Sequence, residues 1–182
     1  MNRGELLYEG KAKKLFQTED PDVVRVEYKD DATAFNGLKK GFLAGKGELN
    51  NRISAFLFRY LAENGVDNHF IRQLSPTEQL VRKVEILPLE VVVRNRAAGS
   101  LAKRLGLEEG TLLSRPVVEF YYKRDDLGDP LVNEDHITVL GLSSQEQLAE
   151  IRRIALRVNR LLTELMGERG VILVDFKLEF GL

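Results

Sequence analysis

Residues 174–180, "VDFKLEF", alternate apolar and charged side chains without a break. A period of two is the signature of a β-strand: Val174, Phe176, Leu178 and Phe180 face one side, while Asp175, Lys177 and Glu179 face the other. A strand of this kind belongs to a sheet covered on one face only, which is the habit of antiparallel sheets. A long helix is legible upstream. After Ser143 or Ser144, either of which suits a helix cap, Leu148, Ile151, Ile154, Ala155, Val158, Leu161, Leu162 and Leu165 recur at three- and four-residue steps. With 182 residues and 43% hydrophobic content, the chain has material for one large domain or two small lobes.

The remaining segments complete an α+β pattern. "ELLYEG", "KKLFQT" and "VVRVEY" predict a small antiparallel sheet in the first third. Residues 29–47, "KDDATAFNGLKKGFLAGKG", predict a long loop whose Gly37, Gly41, Gly45 and Gly47 supply mobility and close backbone approach. The following helix is expected to bury a face made of Leu49, Ile53, Phe56, Leu57, Tyr60 and Leu61, and to end near Gly65. "NHFIRQL", "EQLVRKVEI" and "EVVVRN" predict three more strands, with Pro88 as a hinge. "SLAKRLG" predicts a short helix capped by Ser100, "RPVVEFYYK" another strand, and "RDDLGDPLVNEDH" an acidic loop.

Several functions are excluded or disfavoured at this level. Twenty-seven basic residues nearly balance twenty-eight acidic ones, with no block of like charge, so nucleic acid is not an expected partner. The absence of cysteine removes disulfides and thiolate metal sites. "MNRGELLYEG" lacks the apolar core of a signal peptide, and no apolar run approaches the ~20 residues of a membrane span, so the reading is a cytoplasmic protein without a membrane partner.

Four places carry candidate chemistry. Asp175 and Glu179 are ~13 Å apart on an extended strand, too far to share one ion, so they are assigned to separate partners. Lys177 between them is expected to keep both ionised. Near the start, "YEGKAKK" offers Lys11 and Lys13 just after the tight turn at Gly10, as point charges suited to a polyphosphate; neither a Walker loop nor a kinase glycine loop is present. The loop containing Asp125, Asp126, Asp129, Glu134 and Asp135 suits magnesium, and equally suits plain solubility. His136 and His69 each read as structural. Finally, "VVVRNRAAGS" places Arg94 at the end of an apolar run and Gly99-Ser100 at a helix start. One reading pairs Arg94 and Arg96 with surface carboxylates. The other joins the Arg94 fork to the helix N-terminus as a socket for a phosphate, with the small residues allowing close approach.

"LPLEVVVRNRAAGS" at 87–100 and "LVDFKLEFG" at 173–181 resemble the two signature motifs of the phosphoribosylaminoimidazole-succinocarboxamide (SAICAR) synthetase family, and the resemblance extends to "LYEGKAKKLF", "KDDATAFNG", "KGELNN" and "DPLVNE". It implies a two-lobed α+β fold related to ATP-grasp and kinase nucleotide-binding folds, with an N-terminal lobe over 1–86 and a C-terminal lobe over 87–182. It implies an ATP-dependent ligase of de novo purine biosynthesis, acting in the cytoplasm as a homo-oligomer, that joins carboxyaminoimidazole ribonucleotide to L-aspartate, giving SAICAR, ADP and phosphate. By position, Lys11, Ala12 and Lys13 resemble the nucleotide-phosphate hairpin, Lys123 and Glu179 lie on the nucleotide side, and 81–86 borders adenine. Arg94 and Ser100 match holders of the ribonucleotide phosphate. Asp129, Asp175 and Lys177 match catalytic positions near the imidazole carboxylate, with Asp175 and Glu179 as magnesium ligands.

The implied chemistry is activation of a carboxylate by ATP to an acyl phosphate, which the aspartate amine displaces; positioning and charge neutralisation carry such a reaction without a nucleophilic side chain. The family pattern continues beyond the second motif into an acidic segment of the form D-E-x-S-P-D-x-x-R, carrying a further magnesium ligand and a phosphate-binding arginine. The chain is therefore expected to be a piece of a longer protein, or a shortened member with reduced activity. The competing readings are a nucleotide-binding fragment without turnover and a small-molecule kinase.

Overall fold

The computed structural model describes residues 3–34 and 39–182. The chain divides into two compact units, Met1–Val84 and Glu85–Leu182.

In the first unit, β1 (Leu6–Glu9), β2 (Lys13–Gln17) and β3 (Val23–Tyr28) form consecutive antiparallel hairpins. Two further strands, β4 (Asp31–Ala34) and β5 (Lys39–Phe42), pair as a separate ribbon where the sequence predicted a loop. Residues 35–38 of that predicted loop, Gly37 included, lie outside the described residues. Helix α1 spans Lys46–Glu63, followed by β6 (Phe70–Ser75) and β7 (Glu78–Arg82), which complete a five-stranded sheet of order β1-β2-β3-β7-β6.

The expected apolar face of α1 is only partly the buried one. Leu61 is buried, but Leu49, Ile53 and Phe56 are about half exposed, and the inward positions are Gly47, Asn51 and Ala55. The reason is steric: a Cβ on Gly47 would stand 2.6 Å from the Tyr28 carbonyl oxygen, so only glycine lets the helix approach β3 this closely. Asp30 receives the Gly47 N–H at 2.7 Å, and the fully buried Asn51 amide donates to the carbonyls of Ser75 and Pro76. "KGELNN" is thus a docking sequence for the helix.

The second unit opens with β8 (Ile86–Arg96), which contains Pro88 and is not broken by it. The proline falls where pairing with the last strand shifts register between Glu179 and Gly181, so its missing N–H costs no regular ladder bond. Helix α2 (Gly99–Leu105), β9 (Leu112–Tyr122), a one-turn 3-10 helix (Asp125–Leu127), β10 (Leu131–Val132), α3 (Glu134–Val139), α4 (Gln145–Gly167) and β11 (Asp175–Gly181) follow. The predicted acidic loop therefore folds into a turn, a short strand and the start of α3. There, Asn133 and His136 cap one another reciprocally. Ser144, and not Ser143, caps α4 in the same way with Gln147.

The four-stranded sheet has the order β10-β9-β8-β11, all antiparallel. Leu89, Val91 and Val93 of β8, Phe120 of β9, and Phe176, Leu178 and Phe180 of β11 pack with Leu148, Ile151 and Ala155 of α4. By the strand period, Glu90, Arg94, Glu119, Tyr121, Asp175, Lys177 and Glu179 are left on the opposite face.

His69 has a structural role in the first unit. Its ring meets Phe58 edge to face at 4.6 Å, and burial, with Lys13 and Arg82 nearby, pushes its pKa down to about 4. The folded state thus prefers the neutral ring, whereas the unfolded chain protonates near 6.5. Stability is complete above that value and falls as pH drops from 6.5 towards 4, by about 3 kcal/mol in all. Denaturant titrations of His69→Phe at pH 7 and pH 4 should show that part of the acid loss removed; an unchanged slope would contradict it.

Candidate functional site

The polar face of the second sheet is an ordered row of charges. Register places Asp175 opposite Arg94 and Glu179 opposite Glu90. The like-charged pair is resolved by lysines: Lys177 Nζ donates to Glu90 Oε1 at 2.6 Å, and Lys123 Nζ lies 2.9 Å from Glu179 Oε1. Lys177, which the sequence places between Asp175 and Glu179, takes Glu90 of the neighbouring strand as its ion-pair partner. Its side chain reaches diagonally across to β8, and each carboxylate of β11 has its own cation.

Arg94 is the centre of the arrangement. Its Nε donates to Glu119 Oε2 at 2.7 Å, Nη1 to Asp175 Oδ2 at 2.6 Å, and Nη2 to Ser100 Oγ at 3.3 Å. Glu119 also accepts from the Tyr121 hydroxyl at 3.0 Å and, on its other oxygen, from Arg104. The side chains of Arg94 and Glu119 are only 10% and 6% exposed. Burial opposes the Arg94 charge, but the hydrogen bonds to Glu119 and Tyr121 outweigh it and leave the guanidinium more firmly protonated than usual. Arg94 does pair with carboxylates, then, but inside the protein and in a fixed geometry. Arg96 points elsewhere and donates to the Gly110 carbonyl at 2.9 Å.

The turn after β8 differs from expectation in two respects. Ala98 is the N-cap of α2, while Ser100 lies inside the helix with its hydroxyl on Arg94. Gly99 is required by its φ of 53°, not by crowding, since a Cβ there meets nothing within 4 Å. The Gly99 N–H is taken by Glu109 at 3.2 Å.

Asp129 stands apart. It is the one non-glycine with positive φ among the described residues, at 48°, between Gly128 and Pro130, and its buried Oδ1 has no hydrogen-bond partner. A strained backbone holding an unsatisfied carboxylate oxygen stores energy that structure alone does not require.

In the first unit, the Gly10 N–H closes the β1–β2 turn on the Lys13 carbonyl at 2.8 Å. Lys11 and Lys13 are exposed, Ala12 is half-buried, and among the described residues neither lysine forms an ion pair, whereas Lys29 is held by Glu9 and Asp31. Val81, expected beside adenine, is buried with Val24 and Val26.

Glu119, Arg104 and Glu90 were missed in the sequence, although Glu119 carried a signal: a charge between Val118 and Phe120, in phase with Tyr121, marks a polar face on an otherwise apolar strand. No three His, Cys, Asp or Glu side chains cluster as a metal cage among the described residues. Magnesium asks for less: one or two carboxylates beside waters and phosphate oxygens. The partly exposed Asp175 and Glu179, too far apart on the strand to share an ion, each offer one carboxylate of that kind, and Asp129 offers an unpaired oxygen.

The second unit thus carries an apolar under-face and an ionic upper face on one sheet, and the first unit carries a basic hairpin. The SAICAR synthetase family profile matches residues 6–182. The phosphoribosylaminoimidazole-succinocarboxamide synthase of Brevibacillus brevis is 65% identical over 181 residues, covering 100% of this chain and 76% of that protein. Among solved structures, the enzyme of Ehrlichia chaffeensis aligns with a TM-score of 0.94 at 47% identity, covering 97% of this chain and 75% of that one. A SAICAR synthetase in complex with ADP aligns with a TM-score of 0.92 at 50% identity and the same coverage. The chain belongs to the SAICAR synthetase family. It is accordingly an ATP-dependent ligase of purine biosynthesis.

Removing one member of a buried ion pair strands the other. Arg94→Met should lower stability in urea by about 3–5 kcal/mol, and adding Glu119→Leu should restore part of it. Losses that simply add would mean the two side chains are not coupled.

Proposed function

We propose that this chain joins carboxyaminoimidazole ribonucleotide to L-aspartate at the expense of ATP. The observation that carries the reading is the ionic face of the second sheet, where Arg94, Ser100, Asp175, Lys177 and Glu179 of the two signature motifs converge. In the first unit, Lys11, Ala12 and Lys13 contact the nucleotide phosphates. In the second, Lys123 and Glu179 serve the nucleotide, and Arg94 with Ser100 holds the ribonucleotide phosphate.

The reaction proceeds in two balanced steps. A carboxylate oxygen of the imidazole attacks the γ-phosphorus of ATP, and ADP leaves; the aspartate amine then attacks the acyl carbon, the carbon–oxygen bond breaks, phosphate leaves and the amine gives up a proton to the Asp129 carboxylate. Lys177 and Asp175 orient the imidazole carboxylate, and the unpaired oxygen of Asp129 receives the incoming amine. Asp175 and Glu179 would each offer a carboxylate to a magnesium ion, which would supply neutralisation of phosphate charge. The two units act as the N-terminal and C-terminal lobes of one enzyme, of homo-oligomeric form, in the cytoplasm where its phosphorylated substrates occur.

The test is ADP release, which should require both L-aspartate and the ribonucleotide; release with the ribonucleotide alone, accompanied by a stable phosphorylated product, would make the protein a kinase. With oxygen label in the imidazole carboxylate, label should appear in the inorganic phosphate, and unlabelled phosphate would eliminate the acyl phosphate. Asp129→Asn tolerates the same backbone, so melting should change little while turnover falls by about 100-fold. Wild-type turnover in that variant would remove Asp129 from the chemistry.

A further inference from the structure

Arg94 alone is a poor match for a phosphate monoester. Such a group carries close to two negative charges at neutral pH, whereas the Arg94 charge is already shared between Glu119 and Asp175. A second cation is built in beside it. Arg104 follows Ser100 by four residues on α2, so both lie on one face of the helix. That face turns to Arg94: Ser100 accepts from Arg94, and Arg104 donates to Oε1 of the carboxylate whose Oε2 holds Arg94. Glu119 therefore clamps two guanidinium groups side by side, one buried and one 35% exposed. Glu119 is itself fixed by the Tyr121 hydroxyl, and among the described residues Arg104 makes no other polar contact, so its remaining N–H donors are open.

We propose that Arg104 is a second phosphate-binding residue for the ribonucleotide and that Glu119 is the positioning residue that holds Arg94 and Arg104 as one paired site. The proposal rests on the phosphate role given to Arg94 above. Each guanidinium keeps N–H hydrogens beyond those given to Glu119, Asp175 and Ser100, and a planar fork meets a dianion in a geometry that lysine cannot reproduce. The buried carboxylate sets their spacing and offsets one of their two charges, so the pair stays together before the ligand arrives.

Calorimetric titration of the full chain with carboxyaminoimidazole ribonucleotide, its dephosphorylated nucleoside and ATP tests it. Arg104→Gln should weaken ribonucleotide binding about tenfold while leaving the nucleoside and ATP unaffected, the loss typical of one charge-assisted contact. Arg104→Lys should recover only part of it. Glu119→Gln should cut the advantage of ribonucleotide over nucleoside, a ratio that general loosening of the fold would not change selectively. If Glu119→Gln fails to fold, as judged by circular dichroism, the two Arg104 variants decide. Arg94→Lys separates the two readings. Selective loss of the ribonucleotide in that variant, with Arg104→Gln unchanged, would overturn the paired site and keep the Arg94 socket. Equal losses for ribonucleotide and ATP in Arg94→Lys would overturn both.

Discussion

The ion pair between Arg94 and Glu119 is the contact on which the second unit turns. Two charges taken almost wholly out of water are unfavourable unless their hydrogen bonds are satisfied. Here they are: every Arg94 nitrogen that can donate has an acceptor, and both Glu119 oxygens accept. That satisfaction demands one register of β8 against both β9 and β11. A slip of one residue on either side would carry Arg94 or Asp175 into the apolar layer under α4 and bring valine or phenylalanine to the ionic face. The charged face therefore specifies the sheet as strictly as the core does.

The sequence made the second unit legible because its periods are clean. The α4 face and the β11 alternation follow from spacing alone, and spacing narrows the α4 cap to Ser143 or Ser144. In α1 the period was equally visible, but the buried side was set by what β3 and the β6–β7 turn allow: Gly47 under a carbonyl, Asn51 reaching two others. Hydrophobicity located only part of the buried stripe, Leu61 among it, because the rest of the contact needed small and polar groups. The ionic face shows the same limit. Each charged residue was visible, yet Arg94 meets partners 25 and 81 positions away, and no local spacing reveals which of several carboxylates a guanidinium will take. The resemblance to a family located Arg94, Ser100, Asp175, Lys177 and Glu179 together; their actual partners came only from the fold.

Asp129 shows a different kind of information. A positive φ at a non-glycine residue and a buried, unpartnered carboxylate oxygen are both unfavourable, and they coincide in one residue. Neither feature is visible in "GDPLVNE", where an aspartate before proline reads as ordinary turn chemistry. Glycine at 129 would relieve the backbone, so the carboxylate, not the turn, accounts for the residue.

The same reasoning bears on why the Arg94 network exists. A buried salt bridge is weak evidence for stability, since well-packed apolar residues of similar volume often do as well or better. The other face of this sheet shows that the chain can build such packing. A protein that needed only a second covered face had simpler means than six interlocked polar side chains. What the network provides is guanidinium and carboxylate groups already held in place, which under the proposed function means that binding a charged ligand spends no energy on ordering them. The division of labour follows directly from the strand period. One side of β8, β9 and β11 makes the fold stable, and the other, held in register by it, is left free for chemistry.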